Sequence, residues 1–459
     1  MRLTTSLFSI LFLTLELLST TLAETDQPNI VYIISDDQAW TDYGFMGHPD
    51  IKTPNLDRLA SRSALFRRGY VPTALCRPSL ATLATGLYAS EHGVTGNDPA
   101  KRPGNADVMP QLRQQLISKL PASETLASLL GEEGYLSHQS GKWWEGSYRH
   151  GGFTHGMTRG FPQPGGRHGD DGLKIGREGM QPVFDFVDES IEKKKPFFLW
   201  YAPFLPHTPH TPPARLLNKY TTPGRPPRLA RYYAMCEWFD ETCGELLDYL
   251  DSKNLTDNTL VVYVTDNGWV QRTEESIVPK GWTRQFAPRS KQSPNEAGVR
   301  TPIMLSWPGR IQPGERSEVV SSIDLYPTIL AAVEIKTPDG RSGLNLLPVI
   351  NDGEKLEREH IFGETFAHDI IDLDNPQTTL LYRWVIQDRW KLILRYDGTT
   401  TRYKAVHSVA DPAPQLFDLI ADPHEETNVA ADHPRLVAQL VDHLTDWWTV
   451  DERQVQLVP

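Results

Sequence analysis

Three separated segments carry residue types that can build one hydrolytic centre. Asp36-Asp37 closes the apolar run Asn29 to Ser35, Asp266-Asn267-Gly268 closes a second run from Thr259 to Thr265, and Cys76-Arg77-Pro78-Ser79 opens a stretch of helix-forming composition. Carboxylates and an amide carbonyl are hard oxygen donors, and calcium takes about six to eight of them. Zinc would ask for clustered His and Cys at closer spacing. The pattern predicts one calcium ion held by Asp36, Asp37, Asp266 and Asn267, with Cys76 against it. Either acidic pair alone would read as a turn or a helix cap.

The elements that position these residues follow from the apolar pattern. Short, nearly continuous apolar runs such as Ile30 to Ile34, Phe197 to Tyr201, Leu260 to Thr265 and Ile303 to Trp307 read as strands buried on both faces. Helical stretches at Thr125 to Gly131, Val183 to Glu192 and Arg231 to Leu250 alternate with them, which predicts an α/β fold with a parallel sheet covered by helices on both sides. Ligands in such sheets collect beyond the carboxyl ends of the strands, where both acidic pairs fall. Pro78 suits the first turn of a helix and Gly86 its exit, so Cys76 is expected at the positive end of the helix dipole, which would lower its thiol pKa. Beyond about residue 355 the pattern changes to strand runs at Leu380 to Gln387 and Lys391 to Tyr396, a turn-rich stretch from Gln415 to Glu426, and a helix from Pro434 to Trp448.

Composition narrows the class. The chain has 459 residues, more than one core usually holds, and its net charge of −12 without a polybasic patch argues against a nucleic-acid partner. An anionic substrate must therefore be drawn in by local positive charge. Arg2, the apolar stretch Leu7 to Leu18 and Thr21-Leu22-Ala23 read as a cleaved signal peptide over residues 1–23, with export to the periplasm or beyond the cell and no stable membrane anchor. The expected organisation is a catalytic unit over 24–355 and a C-terminal subdomain over 356–459. Of the three cysteines, Cys236 and Cys243 fall in one helix, roughly 10 Å apart along its axis, beyond bonding reach. Cys76 is the one with a chemical context.

Seven blocks in order carry a resemblance. They are Asn29 to Gln38, Thr53 to Ala60, Cys76-Arg77-Pro78-Ser79 with Thr85-Gly86, Gly141-Lys142-Trp143, Pro206-His207-Thr208-Pro209, Asp266-Asn267-Gly268 and Lys291 through Pro302. On these the chain resembles the formylglycine-dependent sulfatases of the alkaline-phosphatase-like superfamily. The resemblance implies a mostly parallel central sheet sandwiched by helices, with a smaller C-terminal antiparallel sheet plus helix. It implies that a maturase oxidises Cys76 to formylglycine, whose hydrated aldehyde supplies the nucleophile on a calcium ion. Lys142 and Lys291 would hold sulfate oxygens, and His207 with Lys291 would protonate the leaving group. The implied substrate is a sulfated carbohydrate or a small sulfate ester.

Two positions depart from the family pattern. Leu80 stands where the signature has an arginine, and Trp144 where a histidine normally contacts the nucleophile. Indole cannot act as a base. His92, His150, His155 and His168 are the replacement candidates, and His155 is preferred because it follows Lys142 in the glycine-rich stretch Gly151 to Gly156. These departures keep two other readings open: a phosphodiester or phosphonate ester hydrolase on the same scaffold, and a non-catalytic protein that binds sulfated glycans.

Overall fold

Alternating residues of the central strands are apolar on both faces, and this builds a two-sided core. In the computed structural model, which describes residues 27–121, 124–396 and 414–450, Ile30, Tyr32 and Ile34 pack on one side of the sheet and Val31 and Ile33 on the other. The expected signal segment lies outside the described residues. In chain order the strands are β1 (Asn29–Ser35), β2 (Ala64–Tyr70), β3 (Asp98–Pro99), β4 (Leu136–Gly141), β5 (His155–Gly156), β6 (Phe197–Ala202), β7 (Thr259–Thr265), β8 (Arg300–Ser306), β9 (Gly314–Arg316), β10 (Val320–Ser321), β11 (His360–Phe366), β12 (Asp369–Ile370), β13 (Leu380–Gln387), β14 (Trp390–Arg395) and β15 (Gln415–Asp418).

The large sheet runs β10-β2-β8-β7-β1-β6-β4-β5, with β9 beside β2. It is mostly parallel, as expected, and β8 is the antiparallel strand between β7 and β2. Strands β7, β1, β6 and β4 are parallel neighbours, so their carboxyl ends open on one edge. Helices cover both faces. The helices Cys76–Thr85, Leu126–Glu132 and Leu325–Ala332 pack into one core, and Pro54–Ser61, Gln181–Glu192 and Pro227–Ser252 into the other.

The C-terminal part is an antiparallel sheet in the order β11-β13-β14-β15 with the helix Pro434–Trp447 on it. One face of this small sheet, through Trp384, Ile386, Ile393 and Phe417, belongs to the large core; the other, through Val385, Leu392 and Leu394, packs against Leu440 and Leu444 of the helix. The turn-rich stretch from Gln415 begins with strand β15, and Cys236 and Cys243 are buried, unbridged packing residues. Among the described residues no helix is long and apolar enough to cross a membrane.

Candidate active site

Asp36 and Asp37 leave the end of β1, and Asp266 and Asn267 leave the end of β7. The register Ser35 to Thr265 places the two pairs side by side. Asp37 adopts a left-handed backbone, φ 66°, a strained state for a non-glycine residue of the kind that functional sites retain. Its N–H donates to Asp266 Oδ1 at 3.1 Å, and the Asn267 amide donates to Asp37 Oδ1 at 2.7 Å. Lys142 follows β4 directly. Gly141 makes this possible: at φ 90° a Cβ there would stand 1.8 Å from the Ala202 carbonyl oxygen. The Lys142 ammonium bonds Asp36 Oδ1 at 2.7 Å, and the Lys291 ammonium bonds Asp37 Oδ1 at 2.5 Å and Cys76 Sγ at 3.0 Å.

Within the acidic cluster, four buried oxygens have no hydrogen-bond partner: Asp36 Oδ2, Asp37 Oδ2, Asp266 Oδ2 and Asn267 Oδ1. They come from the four residues expected to hold the ion. Leaving so many acceptors unpaired in one place is costly unless something positive sits among them. Ligand atoms of Asp36, Asp37, Cys76 and His207 also lie within 4.8 Å of one another. His207 Nδ1 donates to the Thr208 carbonyl at 2.6 Å, which leaves Nε2 facing Asp37 Oδ2 at 3.3 Å. A neutral ring with that tautomer sets two acceptors face to face, a gap suited to a cation or a proton.

The electrostatics agree. Burial pushes the Asp36 carboxyl well above its ordinary range, the Lys142 ammonium opposes this, and Asp266 and Asp37 add to it. Asp266 is raised for the same first reason, burial. Three carboxylates against two ammonium groups leave one negative charge in excess, which a divalent ion would convert to one positive charge. Burial by itself pulls Lys142 and Lys291 down, but the surrounding carboxylates and Cys76 outweigh it and hold both above the usual lysine value. The residues present therefore fit a hard divalent ion.

Cys76 is the first residue of the helix Cys76–Thr85, as expected, but the dipole does not decide its acidity. Burial outweighs Lys142 and Lys291 and pushes the thiol up to about 12. Leu80 sits on the same helix in the large apolar core. Arg77 turns away from the cavity into a buried two-pronged pair with Glu145, at 2.7 Å for each bond, and ties the helix start to the segment after Lys142.

A cavity of about 360 Å³ opens over Cys76, Lys142, Lys291 and His207. That falls in the range of small-molecule sites, about 300–1,000 Å³. Its walls also hold residues the sequence did not single out: Asn97, Arg167, Trp269, His368 and the stretch Thr283 to Phe286. Pairing of Gln271 with Phe286 folds the loop after β7 into that wall. Spacing alone carries no signal for such loop contacts.

His155 is not in this cavity. It lies on edge strand β5, packs against Phe186 and pairs with Glu189 at 3.3 Å, so the preference for it is corrected. Its neighbour in sequence, the Thr154 hydroxyl, and the β4–β5 pairing hold it at the sheet edge. His92 is buried against Thr82, and His150 does not line the cavity. His168 does line it. Its ring lies 5.1 Å from that of Trp144 and 5.7 Å from that of Phe204, and its Nδ1 is buried without a partner. Phe204 also stacks on His207 at 4.4 Å and lies under the Lys142 ammonium at 5.4 Å, so one ring sets three of the polar groups. Burial, with Lys142 and Arg167 adding to it, lowers His168 to about 3.

An α/β sheet with a buried acidic cluster, two lysines and a cysteine at its carboxyl edge has the charges needed to hold a small ester anion for hydrolysis. A model of the sulfatase family matches residues 28–335, and a model described as N-sulphoglucosamine sulphohydrolase, C-terminal, matches 290–449. The chain belongs to the sulfatase family, and it is a sulfuric ester hydrolase. It is 29% identical over 477 residues to N-acetylgalactosamine-6-sulfatase of Homo sapiens, covering 94% of this chain and 86% of that protein. It is 25% identical over 517 residues to N-acetylgalactosamine-6-O-sulfatase of Bacteroides thetaiotaomicron, covering 92% and 93%. Among solved structures, Ps i-CgsB in complex with k-i-k-neocarrahexaose aligns with a TM-score of 0.69 at 25% identity, over 92% of this chain and 93% of that one.

Proposed function

We propose that the protein is an exported sulfatase that hydrolyses sulfate esters of carbohydrate, using Cys76 converted to formylglycine and one calcium ion. The observation that carries this reading is the set of four unpartnered buried oxygens from Asp36, Asp37, Asp266 and Asn267, with Cys76 Sγ and two ammonium groups against them. When present, the hydrated formylglycine supplies the nucleophilic oxygen and calcium the Lewis-acid stabilisation of the sulfate. Asp36, Asp37, Asp266 and Asn267 would hold the ion.

The chain's own groups then have separable tasks. Lys142 and Lys291, both buried, bind sulfate oxygens and offset the charge that spreads over them as the ester breaks. Lys291 Nζ holds a proton available to the departing alcohol oxygen, and His207 Nε2, an acceptor in the neutral ring, can donate there only after it takes up a proton. Thr208 orients His207 through Nδ1, and Phe204 fixes its ring plane. His168 takes the place left by Trp144 as a hydrogen-bonding imidazole beside the reacting group; its neutrality suits it to orient that group rather than to carry a proton. Carbohydrate as substrate is supported by the relatives named for N-acetylgalactosamine 6-sulfate. Export is supported by the leader-like residues 1–23.

The test is hydrolysis of N-acetylgalactosamine 6-sulfate and its oligosaccharides against the matching phosphate esters, after expression with a formylglycine-generating maturase. Sulfate release that disappears in Cys76→Ala supports the reading. Preferred cleavage of the phosphate esters would replace it with the phosphoester or phosphonate hydrolase reading.

A further inference from the structure

We propose that Lys391 and Glu425, both in the C-terminal unit, are positioning residues for Lys291, so that this unit is part of the active site. The inference rests on the sulfate-ester reading above for what Lys291 does. Its geometry stands independently of that.

Lys291 is carried by an irregular segment, not by a strand or helix. Residues on either side of it, Arg289 and Gln292, adopt left-handed backbone at φ 60° and 64°, a state that persists only where the surroundings enforce it. The enforcement comes from the far end of the chain. The Glu425 carboxylate accepts from the Asn295 amide at 2.7 Å and from the Glu296 N–H at 2.9 Å, and the Glu425 carbonyl accepts from Arg289. Three grips by one residue therefore bracket Lys291 on both sides.

Lys391 of β14 completes the clamp. Its ammonium is fully buried, 3.0 Å from Glu296 Oε1 and 3.0 Å from Glu425 Oε1, and Glu296 is itself bonded by the Tyr70 hydroxyl at 3.0 Å. Burying one ammonium between two carboxylates is a poor way to gain stability, since apolar residues of like volume often do better. Such a cluster does constrain its neighbours, because any movement that leaves one of its buried charges unpaired is strongly destabilising. Here the neighbours constrained are residues 289 to 296, and the product is an ammonium 3.0 Å from Cys76 Sγ and 2.5 Å from Asp37 Oδ1. The family model that covers the C-terminal unit begins at residue 290 and so takes in Lys291, as expected if segment and unit form one device.

A double-mutant cycle tests this. Glu425→Gln and Lys391→Met are each made alone and on Lys291→Ala, and kcat, KM and the unfolding midpoint are measured in the full matured protein. A misplaced catalytic group can cost on the order of a hundredfold, so a kcat loss of about tenfold to a hundredfold is expected in each single variant. On Lys291→Ala the same changes are expected to alter kcat less than about twofold, while the midpoint falls equally in both backgrounds. Crystals of Glu425→Gln should show Lys291 Nζ withdrawn from Cys76. Equal kcat losses in both backgrounds, or an unmoved Lys291, would overturn the proposal. Should Glu425→Gln fail to fold, Asn295→Ala removes one grip, leaves the ion cluster intact, and is read in the same cycle. If the wild type cleaves no sulfate ester, the functional reading fails, and the position of Lys291 in the variant crystals still decides the positioning claim.

Discussion

The acidic cluster and Cys76 were legible because each of these residues ends a strand or opens a helix. Asp36, Asp37, Asp266 and Asn267 sit where an apolar run stops, and the parallel register of β1 with β7 needs no loop geometry to bring them together. The replacement histidine was not legible, because His155 and His168 both lie in glycine-rich sequence after Lys142 and only the folded loop separates them. His168 faces the cavity beside Trp144, whereas His155 pairs with Glu189 at the sheet edge. His168→Ala should therefore lower kcat/KM by about a hundredfold, the lower end of the loss seen when one oriented hydrogen-bonding group is removed from an active site. His155→Ala should leave it within about twofold, in line with loss of an exposed ion pair. Steady-state kinetics on one sulfated saccharide checks both, and equal losses would return the role to an open question.

Strands declared themselves in sequence where both faces are apolar, as in β1, β6, β7 and β8, and stayed hidden where buried polar side chains are satisfied by neighbours. Strand β4, Leu136–Gly141, carries Ser137, His138, Gln139 and Ser140, a composition that reads as a loop. Its polar groups are answered by local partners: Ser137 Oγ accepts from Thr154 N–H at 3.0 Å, Gln139 Oε1 accepts from Thr158 N–H at 3.1 Å, and Ser140 Oγ donates to the Trp200 carbonyl at 2.9 Å. Strand β2 was hidden by Arg67 and Arg68 at its centre. The end of β4 is also where substitution should hurt most. Gly141→Ala forces a Cβ against the Ala202 carbonyl in a left-handed backbone, so a stability loss of about 3 kcal/mol or more is expected. Urea unfolding measures it, and an unchanged midpoint would show that the β4 to β6 contact relaxes freely.

At the scale of the whole molecule, the two sheets share one core and several buried polar links. Glu364 of β11 accepts from the Ser90 N–H at 2.7 Å, joining the small sheet to the helix after the cysteine helix. Burial raises its carboxyl to about 7, against the lowering effect of the Ser90 bonds. The folded state therefore keeps this proton up to about pH 7, whereas the unfolded chain releases it near 4.5. Its contribution to stability is full below about pH 4.5 and is lost as pH rises through 7. Glu364→Gln should remove that loss, on the order of 3 kcal/mol between pH 4.5 and 7.5, in denaturant titrations across the range.

The boundary expected near residue 355 is crossed by this core and by the clamp on Lys291, which pattern alone does not display. Everything converges on the acidic cluster at the carboxyl edge of the large sheet. Calcium titration of metal-free protein by calorimetry tests it most directly. One ion per chain is predicted for the wild type, with binding abolished in Asp37→Ala and in Asp266→Ala. No calcium binding in the wild type, or binding undiminished in both variants, would contradict the account.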